Sequence, residues 1–199
     1  MFTDPFDEAL WVAHTLFRLG RATGSTANIS FRLSDGNVAI SCSGSCFGTL
    51  ERGQFSVVSP SGTLISGGKP SKEYPLHAMF YRRFADVQAV VHTHSLYATL
   101  WSCLQSEGNQ APWKTYTPYL QMKLGRVDRI PYAPPGSQAL FTLAEQSMTD
   151  SRGYVLDHHG PIVAGKSIMD AFYAIEELEE SDMTDEEIRA KDAIVNGNS

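Results

Sequence analysis

The sharpest chemical signal in the chain is His92-Thr93-His94, which ends the apolar run Val87–Val91. In an extended strand, residues two apart face the same side, so both imidazoles can reach one ion while Thr93 points away. The same pattern also suits a buried polar pair with no ion. A catalytic zinc-type site takes three protein ligands and keeps a fourth position open. A second histidine pair, His158-His159, precedes Gly160-Pro161, where the backbone can turn tightly. Either of its rings is a candidate third ligand. His14 and His77 fall on helical patterns and read as ordinary histidines. Cys42-x-x-x-Cys46 has a spacing that could ligate metal, but a small thiol beside a turn is the simpler reading.

Glu73 stands at the start of a helix, behind Gly67-Gly68-Lys69-Pro70-Ser71-Lys72. A carboxylate there can favour the helix dipole, or act as a general acid or base beside a metal. Three loops suit an anion: Gly24-Ser25-Thr26-Ala27-Asn28, Ser43-Gly44 and Ser71-Lys72. Small residues expose backbone N–H groups, hydroxyls add donors, and Lys72 adds charge.

The elements that must hold these residues follow from periodicity and punctuation. Asp4-Pro5 caps a helix over Phe6–Leu19, which Gly20 ends. Short strands are expected at Ile29–Leu33, Val38–Ser41, Gln54–Val58 and Thr63–Ile65, with the apolar strand at Val87–Thr93 and another at Tyr154–Leu156. Helices are expected at Tyr74–Phe84, Ser95–Leu104, Ser137–Met148 and Ile168–Glu180. Residues 105–136 read as irregular, and the acidic tail after Met183 as polar and frayed. Hairpins interleaved with helices predict a three-layer α/β/α domain spanning residues 1–199, with a mostly antiparallel central sheet.

Bulk properties narrow the function. The chain has 199 residues and a formal net charge of -6, with no Lys/Arg cluster, which argues against nucleic acid. Three cysteines make no disulfide framework, the N-terminus carries no secretory pattern, and no apolar stretch reaches the roughly 18 residues that span a bilayer. The expected compartment is the cytoplasm, with no membrane partner.

In order along the chain, the GSTANIS loop, the SG turn, the SKE segment, the VVHTH strand end and the HHGPIVAG run resemble the class II aldolase/adducin family. The likeness covers about residues 8 to 180. The SKE-x-PLH stretch, Thr117-Pro118-Tyr119 and the Glu176–Glu180 ending resemble its 3-oxo-tetronate 4-phosphate decarboxylase branch. The resemblance implies that His92, His94 and His159 hold Zn2+ or another divalent transition metal. It implies Glu73 as catalytic acid/base, and Thr26, Asn28, Ser43, Gly44 and Ser71 as phosphate-holding positions. Lys72 departs from the small hydroxyl residue of fuculose-phosphate-type aldolases and suggests a carboxylate or an additional anion. A tyrosine from a neighbouring subunit of a homotetramer, Tyr116 or Tyr119, is the implied partner acid. The implied reaction is decarboxylation of a small phosphorylated sugar acid to dihydroxyacetone phosphate and CO2 through a metal-stabilised enediolate. Fuculose-phosphate-type aldolase and ribulose-phosphate 4-epimerase chemistry are the nearest alternatives, and a non-catalytic adducin-like module the remote one.

Overall fold

The computed structural model describes residues 2–104 and 118–195. Eight strands form one sheet in the order β4-β3-β2-β1-β5-β8-β7-β6. They are β1 (Asn28–Arg32), β2 (Val38–Ser41), β3 (Phe55–Val58), β4 (Leu64–Ser66), β5 (Ala89–His92), β6 (Val127–Ile130), β7 (Gly153–Leu156) and β8 (Gly160–Gly165). Among the described residues, six α-helices accompany them: α1 (Pro5–Arg18), α2 (Tyr74–Arg83), α3 (Leu96–Leu104), α4 (Pro118–Leu124), α5 (Gln138–Ser147) and α6 (Ile168–Val195).

Two apolar clusters divide the helices between the sheet's faces. Ile29, Phe31, Val91 and Val163 of the sheet pack with α1, α3, α4 and α6. Ile40, Val90, Tyr154 and Ile162 pack with α2 and α5. A sheet covered on both faces buries every position of its inner strands, so β5 reads as a continuous apolar run rather than an alternating one. This is the three-layer arrangement expected from the sequence.

The expected mostly antiparallel sheet requires a correction, because the sheet is mixed. From β4 across to β7 each neighbouring pair is antiparallel, but β6 runs parallel to β7. The cause is the connection: β6 reaches β7 through α5, and a strand–helix–strand crossover returns the chain in the same direction. The segment 105–136, expected to be irregular, contains α4 and β6. The run after Leu156 is itself a strand, β8, and α6 continues to Val195 instead of ending near Glu180.

The start of α1 follows the sequence reading. Asp4 accepts the Phe6 N–H at 2.8 Å, with Pro5 in the first turn. Gly160 matters most for the site. Its φ is 146°, and a Cβ there would fall 2.3 Å from the Thr93 carbonyl oxygen. No side chain fits, because the backbone before β8 passes directly over the end of β5. Gly160→Ala is therefore expected to lower stability by about 2 kcal/mol or more. The check is a denaturant or thermal unfolding curve, and an unchanged midpoint would contradict this account.

Candidate functional site

Strand register builds the floor of the site. Asn28 of β1 lies opposite His92 of β5, and His92 lies opposite Ile162 of β8. Directly opposed residues project to the same face, here the face covered by α2. β5 ends at His92, and the chain continues through Thr93 to His94. The rings of His92 and His94 stand 5.1 Å apart, centroid to centroid. The histidine pair before Gly160 is resolved by backbone conformation. His158 has φ 55°, the left-handed region in which non-glycine residues are uncommon. That turn leaves His158 exposed, against the Tyr132 ring, and buries His159. The His159 ring lies 4.8 Å from His92 and 4.6 Å from His94.

Glu73, immediately before α2, completes the cluster. It is 3% exposed. Its carboxylate oxygens lie 3.4 Å from His92 Nε2 and 3.2 Å from His159 Nε2. Asn28 Nδ2 donates to the same carboxylate at 2.9 Å. Burial works to raise the Glu73 carboxyl, but the His92 and His159 rings and the Asn28 amide outweigh it and hold it well below the usual carboxylate range. Burial pushes His92 well below its ordinary value and takes His94 down to about 4, so both rings are neutral near pH 7.

Neutral rings turned toward one another fit a cation. His92 Nδ1 donates to the Pro161 carbonyl at 2.8 Å, so its Nε2 presents a lone pair inward. His92 Nε2 and His159 Nε2 are 3.3 Å apart. Two nitrogens bound tetrahedrally to one zinc at about 2.05 Å would be separated by about 3.3 Å. One nitrogen from each of the three rings lies within 4.8 Å of the others, and the buried His94 Nε2 has no hydrogen-bond partner. Ring nitrogens of three imidazoles that converge beside a carboxylate are a set that a positive charge between them would draw together. The donor set therefore fits a divalent transition metal.

Above this floor lies a cavity of about 260 Å³. Thr26, Asn28, Ser43, Gly44, Ser71, Lys72, Glu73, His94 and His159 all line it. The three sequence-separated loops thus open into one space. His92 sits behind it, fully buried. Lys72 is the one Lys or Arg among the described residues that line the cavity. Its aliphatic stem runs under Gly136, where a Cβ would come within 2.7 Å of Lys72 Cδ. Tyr119 stands on α4, 60% exposed, and is not part of the cavity wall. Tyr116 lies outside the described residues.

Two supporting groups escaped the sequence reading. His77, read as ordinary, is wholly buried and connects to Glu73 through Asn28. The available signal was periodic: Glu73, His77 and Tyr81 are four apart, one stripe of a helix, and Asn28 and Ser30 are two apart, one face of a strand. Glu179 of α6 accepts from Ser95 Oγ at 2.6 Å and from the N–H groups of Tyr97 and Ala98 at 3.0 and 3.1 Å. It caps α3 across the fold and fixes the turn directly after His94.

The comparisons agree with this architecture. The family model described as Class II Aldolase and Adducin N-terminal domain matches residues 7–183. The chain belongs to that family. It is 38% identical over 175 residues to the 3-oxo-tetronate 4-phosphate decarboxylase of Escherichia coli strain K12, covering 88% of this chain and 82% of that one. It is 32% identical over 170 residues to the L-fuculose phosphate aldolase of Methanococcus maripaludis strain C7, covering 85% and 89%. The crystal structure of YgbL from Escherichia coli superposes with a TM-score of 0.82 at 37% identity, over 90% of this chain and 86% of that one. Among the described residues, no helix is long and apolar enough to cross a membrane.

The buried imidazoles predict a pH dependence. Burial depresses His77 to about 4, against an ordinary value of 6.5. The unfolded chain therefore binds the proton first, and stability falls as pH drops from about 6.5 towards 4. For His77 alone the loss is roughly 3 kcal/mol at about 1.4 kcal/mol per unit. Unfolding curves of metal-free protein across this window should show the decline, with a shallower slope in His77→Gln. Equal slopes would remove His77 as a source.

Proposed function

We propose that this chain is a metal-dependent carbon–carbon lyase that decarboxylates a 3-oxo-tetronate 4-phosphate to dihydroxyacetone phosphate and CO2, working as one domain over residues 1–199. One observation carries the reading: an ionised, buried Glu73 set against three convergent imidazoles, at the floor of a cavity whose wall holds hydroxyls and a single lysine. The decarboxylase relatives share most of their length with the chain and support this substrate class.

His92, His94 and His159 would hold the ion, and three imidazoles suit zinc. When bound, such an ion supplies Lewis acidity at the substrate's carbonyl oxygen. The protein does the rest. Thr26, Ser43, Gly44 and Ser71 offer N–H and O–H donors to the phosphate, and Asn28 keeps one amide N–H that Glu73 does not use. Lys72 draws the second anionic group into the cavity. The pair of electrons from the breaking C1–C2 bond passes into an enediolate across C2 and C3 as CO2 leaves. A proton delivered to C2 then completes dihydroxyacetone phosphate. Glu73, ionised in the free protein, takes from water the one proton that the net reaction consumes and delivers it to C2. Tyr119 or Tyr116 of a neighbouring subunit is the second candidate acid, in a homotetramer residing in the cytoplasm.

Aldol cleavage of a sugar phosphate is the second reading, favoured by the likeness to L-fuculose phosphate aldolases. It passes through the same enediolate after loss of an aldehyde. A coupled assay separates the two. Zinc-loaded protein given a 3-oxo-tetronate 4-phosphate should release CO2 and dihydroxyacetone phosphate, and a chelated sample should release neither. No turnover by protein shown to hold metal, together with cleavage of fuculose phosphate, would establish the second reading instead.

Residue roles have separate readouts. His94→Ala and His159→Ala should lose bound metal and activity with little change in fold, while His158→Ala keeps both. Metal analysis and circular dichroism check this, and full metal content in His159→Ala would overturn the ligand assignment. Glu73→Gln should keep metal and lose about a hundredfold or more in kcat. An unchanged rate would remove Glu73 from the reaction.

A further inference from the structure

Behind Glu73 and Asn28 runs a chain of buried polar groups, Tyr81, Ser30 and His77, that lines no part of the cavity. Tyr81 Oη lies 2.8 Å from Ser30 Oγ, and Ser30 Oγ lies 2.7 Å from His77 Nδ1. His77 Nε2 contacts Asn28 Oδ1, and Asn28 Nδ2 reaches Glu73 Oε2. Ser30 and His77 are 0% exposed, Asn28 5% and Tyr81 8%. Water is therefore excluded from most of this path.

The direction of every bond follows from the last one. Asn28 donates through Nδ2 to Glu73 Oε2, so its carbonyl oxygen is the atom turned toward His77. That oxygen only accepts, so His77 must carry its proton on Nε2. His77 Nδ1 is then a lone pair and takes the Ser30 hydroxyl proton. Ser30 Oγ in turn takes the Tyr81 hydroxyl proton. Burial keeps Tyr81 protonated and His77 neutral, as this order requires.

We propose that His77 is a positioning residue for the reaction: with Ser30 and Tyr81 behind it, it locks the Asn28 amide so that its N–H side holds the Glu73 carboxylate in place. Asn28 alone would not suffice. A primary amide can flip, and the flipped form would set Oδ1 against the carboxylate. The Nε2–H of His77 makes that flip unfavourable, because two donors would then face each other across the same contact. His77, Ser30 and Tyr81 act on the carboxylate only through Asn28, and none of the three lines the cavity. The inference rests on Glu73 serving as acid/base, as proposed above.

Two experiments test it. In zinc-loaded protein with 15N-labelled histidine, two-bond 15N–1H correlation spectra should place the His77 proton on Nε2 at neutral pH, with the His77→Leu spectrum giving the assignment. A proton on Nδ1, or a rapidly averaging mixture, overturns the relay whatever the substrate. In kinetics on the sugar phosphate that the wild type turns over, His77→Leu should lower kcat about tenfold or more at unchanged metal content, with KM within about twofold. His77→Gln, which keeps a donor facing Asn28, should recover most of the loss. Equal rates in the two variants overturn a positioning role. Should His77→Leu not fold, Ser30→Ala against Ser30→Thr makes the same comparison, the threonine keeping the hydroxyl. Loss of activity in Glu73→Gln with none in His77→Leu sinks the relay and leaves the proposed function standing. A wild type inactive on both sugar-phosphate classes sinks the proposed function, while the tautomer still decides the relay.

Discussion

A carboxylate that is ionised and almost fully out of water must be answered by positive charge and by donors, or it takes up a proton. Glu73 has its donor in the Asn28 amide and lies against three imidazoles that would hold a cation beside it. Much of the surrounding structure is arranged around this one requirement. His92 and Asn28 come from neighbouring strands in direct register, and α2 begins where Glu73 can reach both. Glycine at position 160 lets β8 start close enough to the end of β5 for His159 to complete the set.

The three rings are themselves positioned from outside. His92 is oriented by a carbonyl of β8, His94 by the cap that Glu179 places on the following helix, and His159 by the left-handed turn at His158. Two of these devices are hydrogen bonds made across the fold, and the third is a local backbone turn. Only His92 lies in a strand, so the turns that carry His94 and His159 depend on this bracing to bring three rings to one centre.

Much of this was legible in the chain, and the failures have physical causes. Two-residue spacing at His92 and His94 marked a shared face because strand geometry has a fixed period. Val87–Val91 announced a central strand because both faces of the sheet are covered. The β6 strand was missed because it lies at the sheet's edge, half-buried, and carries Asp128 and Arg129 among its four residues. The β8 strand was hidden behind Gly160 and Pro161, residues that usually mark turns; here the glycine serves a close approach rather than a bend. His77 was passed over because a lone histidine on a helical pattern carries no local sign of its partners. Those partners belong to a strand some 45 to 50 residues earlier, and only the fold brings them together.

The anion-binding side follows a different logic from the floor. A chain of net charge -6 cannot attract a phosphorylated acid through its overall field, so attraction must be local. On the proposed function the cavity would supply it with neutral donors from three loops and the charge of Lys72, whose stem is held under Gly136. Donors on loops can change without disturbing the sheet, whereas the imidazoles and Glu73 cannot move without breaking strand register or the start of α2. Under the proposed function, substrate choice would reside in the loops and bond cleavage in the imidazoles and Glu73. This division accounts for how one scaffold can accommodate relatives named as decarboxylases and as aldolases.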